Sequence, residues 1–312
     1  MIIALDGLEP TLVGQTMHNL LQAEHGIVNV DVFPLMTPLI WATFLTGTDN
    51  NGVTISKYSS RIGEKIGRVT YSLGEKLTKM VGYERSMKIM SILGNIVDKV
   101  YTPKQYTRED LTQPTIFDLV DKAIVLDVPA YNENPIYLNI RRNTALAINH
   151  QYPEKDVVNE TWSLFHKEYD DCLNTLSKEW TLFMVHFCVT DIIGHLYWDR
   201  VEQISECYRI MNEKVGEITQ KIPNSTVLII SDHGMQRGIH SHQAFYSVNK
   251  QLNLQSPNIS DFYHIIGEEW LSSKKIDRSL KPLRIRVKNP DDDTTQQDKE
   301  RVLKHLKELG YF

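Results

Sequence analysis

Residues 226–240 read T-V-L-I-I-S-D-H-G-M-Q-R-G-I-H. Val227, Leu228, Ile229 and Ile230 form a short apolar run rich in β-branched residues, which predicts a strand buried on both faces. The run stops at Ser231-Asp232-His233-Gly234, polar groups that a buried strand would not carry for packing. In open α/β sheets, ligands collect at the carboxyl ends of strands. Taken alone, Asp-His-Gly after a strand is also acceptable turn chemistry. The chain makes the same kind of strand end twice more, and that repetition tips the reading towards a site.

The first is at the N-terminus. Ile2 to Leu5 read as a strand ending in Asp6-Gly7. The second is the strand Thr181 to Phe187, which runs into C-V-T-D-I-I-G-H at 188–195. Asp191 and His195 are four apart, so one helical turn places both on one face. With His240 closing the opening stretch, the three ends offer Asp6, Asp191, His195, Asp232, His233 and His240. His242 stands close enough to compete with His240. Six Asp and His residues are what two divalent cations need when each takes three protein ligands and keeps room for water or substrate. Buried carboxylates need cations or partners of this kind.

A hydroxyl is supplied by L-M-T-P-L-I-W-A-T-F-L-T-G at 35–47. Thr37 stands where a helix N-cap belongs, Pro38 suits the first helical position, and Gly47 suits the stop. A helix N-terminus favours phosphate and lowers the cost of an alkoxide there.

The other elements expected are a helix through Leu12, Met17, Leu20 and Leu21, a strand over Val28 to Phe33, a helix opening at Pro114 to Val120 and a strand at Ala123 to Val128. A loop follows at Pro129 to Pro135, then helices over Asp156 to Ser177 and Asp199 to Lys221. A strand over Ser241 to Val248 and a terminal helix over Gln296 to Leu309 complete the set. The alternation predicts a three-layer α/β/α sandwich with a mostly parallel central sheet, a single domain over 1–312. Within it, 57–108 reads as a helical cap insertion. Residues 57–104 carry ten Lys/Arg against four acids, a net +6 in a chain whose total is −5, leaving −11 elsewhere. A basic cap would draw in an anionic substrate, and peripheral contact with an anionic membrane is a second use for it.

The remaining bounds are general. The acidic balance argues against specific nucleic-acid binding. Three cysteines without C-x-x-C spacing point to a reducing compartment, hence a cytoplasmic location. The opening residues lack a basic leader and an apolar core long enough for a signal peptide. Oligomeric state is not legible.

In order along the chain, A-L-D-G, T-P-L-I-W-A-T-F-L-T-G, T-D-I-I-G-H, S-D-H-G-M and H-S-H-Q-A-F resemble the landmarks of the alkaline phosphatase superfamily, and within it the type I phosphodiesterase / nucleotide pyrophosphatase family. P-T-I-F-D-L, V-P-A-Y-N-E-N-P and a terminal L-K-E-L-G-Y add general support, so the resemblance covers most of the chain. It implies an alkaline phosphatase-like fold and two divalent cations, zinc first, with manganese or iron as alternatives. Asp191, His195 and His240 would hold one. Asp6, Asp232 and His233 would hold the other, with Thr37 bound to it as the nucleophile. Thr37 lies ten residues before Gly47, as the family's threonine does before its glycine, and His240 rather than His242 precedes Ala244 by four. The implied substrate is a small phosphorylated anion, cleaved through a phospho-threonine.

One departure concerns specificity. The family's pyrophosphatases place an asparagine beyond the nucleophile helix, and the matching stretch here, residues 50–57, is shortened. Ser56 falls nearest that position, with Asn51 and Lys57 as substitutes. The same superfamily also contains phosphomonoesterases and phosphonate hydrolases, and the fold could be kept by an inactive binding protein. A sulfatase is disfavoured because no cysteine stands at the nucleophile position. A phosphoglycerate mutase-like enzyme is disfavoured because the 57–108 insertion is too short for the second domain expected there.

Overall fold

The structure is a computed structural model in which residues 1–32, 35–48 and 105–270 are described. They belong to one compact unit, Met1–Thr54 with Gln105–Leu283. The cap expected over 57–108 lies outside the described residues up to 104, as does the terminal helix over Gln296 to Leu309.

Among the described residues, six strands form one sheet in the order β2-β8-β5-β1-β4-β3. They are β1 (Ile2–Leu5), β2 (Glu24–Asn29), β3 (Ala123–Leu126), β4 (Leu182–Phe187), β5 (Leu228–Ile230) and β8 (Gln243–Val248). The four neighbours β5, β1, β4 and β3 run parallel, whereas β8 is antiparallel to both β5 and β2. All residues of β1, β4 and β5 are buried, which is why these segments are continuous apolar runs without alternation.

Helices cover both faces. Ile3, Leu5, Val185, Phe187 and Ile229 pack on one side against α3 (Glu154–Thr175) and α5 (Val201–Gln220), through Phe165, Tyr169, Met211 and Val215. On the other side lies α1 (Thr37–Thr46), whose ten residues are all buried, as expected of a helix apolar all round. Its Trp41 meets the ring of His186 from β4 edge-on, and its Phe44 meets Phe262 of α6 (Asp261–Trp270). Burying a side chain such as Phe187 stabilises the sheet by about 1.5–3 kcal/mol. Two more helices, α2 (Pro135–Ile148) and α4 (Val189–Tyr197), share a small core with α3 that includes Tyr137, Ile140, Leu164, Cys188 and Ile192. Among the described residues, no helix is long and apolar enough to cross a membrane.

Several expectations are corrected. No helix runs through Leu12 to Leu21. A short 3-10 turn at Pro10–Leu12 gives way to isolated turns, in which the Leu20 and Leu21 amides reach the Met17 carbonyl while Asn212 of α5 accepts from the amides of Asn19 and Leu20. The second strand is Glu24–Asn29 rather than Val28 to Phe33, since its partner β8 begins at Gln243, opposite Asn29. Residues 116–119 form only a 3-10 turn, closed by Asp118 accepting from the Thr115 amide at 2.7 Å. Helices α2 and α6 were not anticipated. Thr37 is not the N-cap but the first helical residue. Met36 is the extended cap residue and makes no side-chain cap bond. Gly47 does stop the helix, in the left-handed conformation at φ 65°.

The register fixes where the chemistry can be. Leu5 lies opposite Phe187, and Ala4 opposite Ile230. The residues that follow each strand, from Asp6, Cys188 and Ser231 onward, therefore leave the sheet along one edge.

Candidate metal centre

Asp6 follows β1 directly and is fully buried. The next residue, Gly7, has φ +67°, and a Cβ there would stand 2.9 Å from the Asp191 Cα. Only glycine lets the β1 turn lie against the start of α4, which brings Asp6 and Asp191 together. The Gly7 amide in turn donates to Asp232 Oδ1 at 3.2 Å. His240 lies on β7 (Ile239–Ser241), the partner of β6 (Gly234–Gln236) in a separate two-stranded ribbon. Buried Glu9 anchors that ribbon by accepting from the Met235 amide at 2.9 Å.

Two clusters result. In the first, His195 Nε2 is 3.0 Å from His240 Nε2 and 3.3 Å from Asp191 Oδ1, and His240 Nε2 is 3.4 Å from the same oxygen. In the second, His233 Nε2 is 3.3 Å from Asp6 Oδ1 and 3.4 Å from Asp232 Oδ2. Thr37 Oγ1 adds to it, 3.5 Å from Asp6 Oδ1 and 3.4 Å from His233 Nε2. His233 also sits 3.8 Å from Asp191 Oδ1, and its ring stacks on that of His240 at 3.6 Å, so the clusters adjoin. Thr43 and Thr46 turn away, their hydroxyls donating to the carbonyls of Leu39 and Ala42 inside α1. His242 faces the Val30 carbonyl at 2.7 Å instead of the cluster.

The donor set fits divalent cations. Each of His195, His233 and His240 places Nδ1 near a backbone carbonyl, those of Gly238, Gly234 and Leu35, at 2.9, 3.0 and 3.3 Å. A proton held at Nδ1 leaves a bare lone pair on Nε2, the state in which imidazole binds metal. All three Nε2 atoms converge on the carboxylates. Donors about 2.0–2.1 Å from a tetrahedral ion stand roughly 3.3 Å apart, close to the spacings within both clusters. Asp191 Oδ1 and Asp232 Oδ2 are buried without a hydrogen-bond partner, a costly state unless a cation satisfies them. Asp191, His233 and His240 converge within 4.8 Å of one another, as do Asp6, Asp232 and His233.

Electrostatics point the same way. Burial, reinforced by Asp6, pushes the Asp232 carboxyl well above the usual carboxylate range. Burial opposes ionisation of Asp191 too, but His195 and His240 outweigh it and hold that carboxyl well below the usual range. Asp6 is likewise raised by burial and by Asp191, yet held low by the neighbouring rings of His186 and His233. Against its burial, His233 is carried up to about 10, chiefly by Asp232 and Asp6, whereas burial and the charge of His233 bring His240 down to about 4. Three buried carboxyls share the pocket, and the stacked rings of His233 and His240 do not both hold a proton beside them.

Two contributors escaped the sequence reading. Tyr137 on α2 places its hydroxyl 2.5 Å from Asp6 Oδ2, and His186 on β4 places Nε2 3.4 Å from that oxygen. The start of α2 was signalled by Asn134-Pro135, since Asn134 caps the Ile136 amide and proline suits the first turn. His186 was signalled by its place in the run L-F-M-V-H-F, where a ring nitrogen needs a partner. Asn51, Ser56 and Lys57 lie outside the described residues.

A mostly parallel sheet whose strand ends gather carboxylates and imidazoles beside a helix-borne hydroxyl defines an α/β protein with a candidate metal centre. The chain belongs to the type I phosphodiesterase / nucleotide pyrophosphatase family, whose model matches residues 1–310. No curated protein sequence matches it. Solved structures similar to it include murine ectonucleotide pyrophosphatase / phosphodiesterase 5, at 14% identity and a TM-score of 0.40, over 75% of this chain and 56% of that one. The chain thus spans little more than half of the murine protein. Another is the alkaline phosphatase of the Antarctic bacterium TAB5, at 12% identity and a TM-score of 0.39, over 86% of this chain and 97% of that one. A third is the PH0037 protein of Pyrococcus horikoshii, at 11% identity and a TM-score of 0.42, over 88% of this chain and 98% of that one.

Proposed function

We propose that the protein is a two-metal phosphodiesterase or nucleotide pyrophosphatase that cleaves a small phosphorylated anion through a phospho-threonine at Thr37. The observation that carries this reading is the convergence of three imidazole Nε2 atoms on the strand-end carboxylates, with the Thr37 hydroxyl at 3.4 Å from one of them. Asp191, His195 and His240 would hold one cation, and Asp6, Asp232 and His233 the other. Asp/His ligation suits zinc first, then manganese or iron.

When bound, the two ions would neutralise phosphoryl charge and lower the pKa of the hydroxyl and of water. Thr37, at the start of α1, attacks phosphorus in line, and the bond to the leaving oxygen breaks on the opposite side. The positive end of α1 faces the phosphoryl oxygens as charge accumulates on them. Water then attacks the phosphorus of the phospho-threonine, returning Thr37 to its hydroxyl form and releasing phosphate or its monoester. The histidines, their Nδ1 protons spent on backbone carbonyls, serve as ligands, so no separate side-chain base is needed for Thr37.

The test is hydrolysis of bis-p-nitrophenyl phosphate against p-nitrophenyl phosphate, each with and without a chelator. Chelator-sensitive turnover favouring the diester is expected. Preference for the monoester would make the protein a phosphomonoesterase on the same residues, and chelator-insensitive or absent turnover would reject the two-metal reading.

A further inference from the structure

Each of the two carboxylates joining the clusters presents its oxygens to different neighbours. Oδ1 of Asp6 faces His233 and Thr37, and Oδ1 of Asp191 faces His195, His240 and His233. Their Oδ2 atoms both face Tyr137, whose hydroxyl donates to Asp6 Oδ2 at 2.5 Å and lies 3.3 Å from Asp191 Oδ2. We infer that Tyr137 is a positioning residue of the metal centre: from one side it bridges a ligand of each cation, and so turns the free oxygen of each towards its ion. The inference rests on the two-metal reading above.

The tyrosine is built for the task. It is 2% exposed, and its phenol has one proton to give. That proton goes to Asp6, and the longer approach to Asp191 is the weaker arm. The ring is packed from above as well. The guanidinium carbon of Arg141, one helical turn further along α2, lies 3.9 Å over the ring centroid. Arg141 is itself clamped by a short ion pair with buried Glu133, just ahead of the helix. This chain of contacts ties the setting of both carboxylates to α2, an element that contributes no ligand of its own.

Outer partners that fix ligand orientation are typically worth 10- to 100-fold in metal affinity or activity. Tyr137→Phe keeps the ring and removes only the donor. Zinc affinity read by competition with a chromogenic chelator is expected to weaken roughly 10- to 100-fold, with the melting temperature of the metal-free protein near that of the wild type. The visible absorption of the cobalt-loaded variant should also change, because carboxylate orientation shapes the ligand field. Arg141→Met, which leaves the phenol but frees the ring, should weaken zinc binding by a smaller factor in the same direction. Wild-type affinity in both variants, with superimposable cobalt spectra, would overturn the inference while leaving the two-metal reading intact. A wild-type protein that bound no metal would sink that reading and the inference with it.

Discussion

At the scale of single residues, Thr37 has the most exposed claim. Its hydroxyl is one of three in α1, and the other two are spent on the helix's own carbonyls. Only Thr37 faces His233 and Asp6. Thr37→Ala should therefore lower turnover by on the order of 10³-fold or more, as loss of a nucleophile does, while leaving metal content unchanged. Steady-state kinetics with metal analysis on the same preparation would check it. A variant that kept more than a tenth of its turnover would show that another nucleophile, such as water, attacks directly.

At the scale of elements, the site depends on how tightly the β1 turn and α4 approach. Gly7 sets that distance, so Gly7→Ala combines a left-handed backbone penalty of about 1–2 kcal/mol with a Cβ 2.9 Å from the Asp191 Cα. Denaturant unfolding should report that destabilisation, and chelator-sensitive turnover should fall with it as Asp6 and Asp191 are pushed apart. Gly14, where a Cβ meets nothing within 4 Å, is the control; an equal loss in Gly14→Ala would refute the close-approach argument. The legibility of the sequence follows the same division. The buried strands and the residues ending them could be read because sheet burial demands apolar runs and tolerates no stray carboxylate. Thr37 could be placed near the start of its helix, but not on the correct side of the cap, since helix ends are set by which amides find partners. The 12–21 segment has helical spacing, yet it forms only turns, with Asn212, some 190 residues away in sequence, accepting from two of its amides. Tyr137 fits the apolar face of α2 as a core residue would. Nothing in its local pattern reveals that its hydroxyl reaches Asp6 across the fold.

At the scale of the whole molecule, the proposed ligands come from both ends of the described chain, from Asp6 to His240, and they meet only when the central sheet is formed. An ion bound by that set recognises the native state and not the unfolded chain, so metal binding becomes folding stability. Each tenfold rise in free ion above its dissociation constant should add about 1.4 kcal/mol per site, roughly 3 °C or more in melting temperature for a domain of this size. Stripping the protein with a chelator should lower the melting temperature, and titrating zinc back should raise it progressively rather than in a single step at stoichiometry. Removing the cations leaves the carboxyls of Asp6, Asp191 and Asp232 buried against one another, so the metal-free protein is expected to be the less stable state. Scanning calorimetry across a buffered zinc series measures this directly. Identical melting curves in chelator and in excess zinc would mean that the three strand ends, however closely they gather, do not bind the ion.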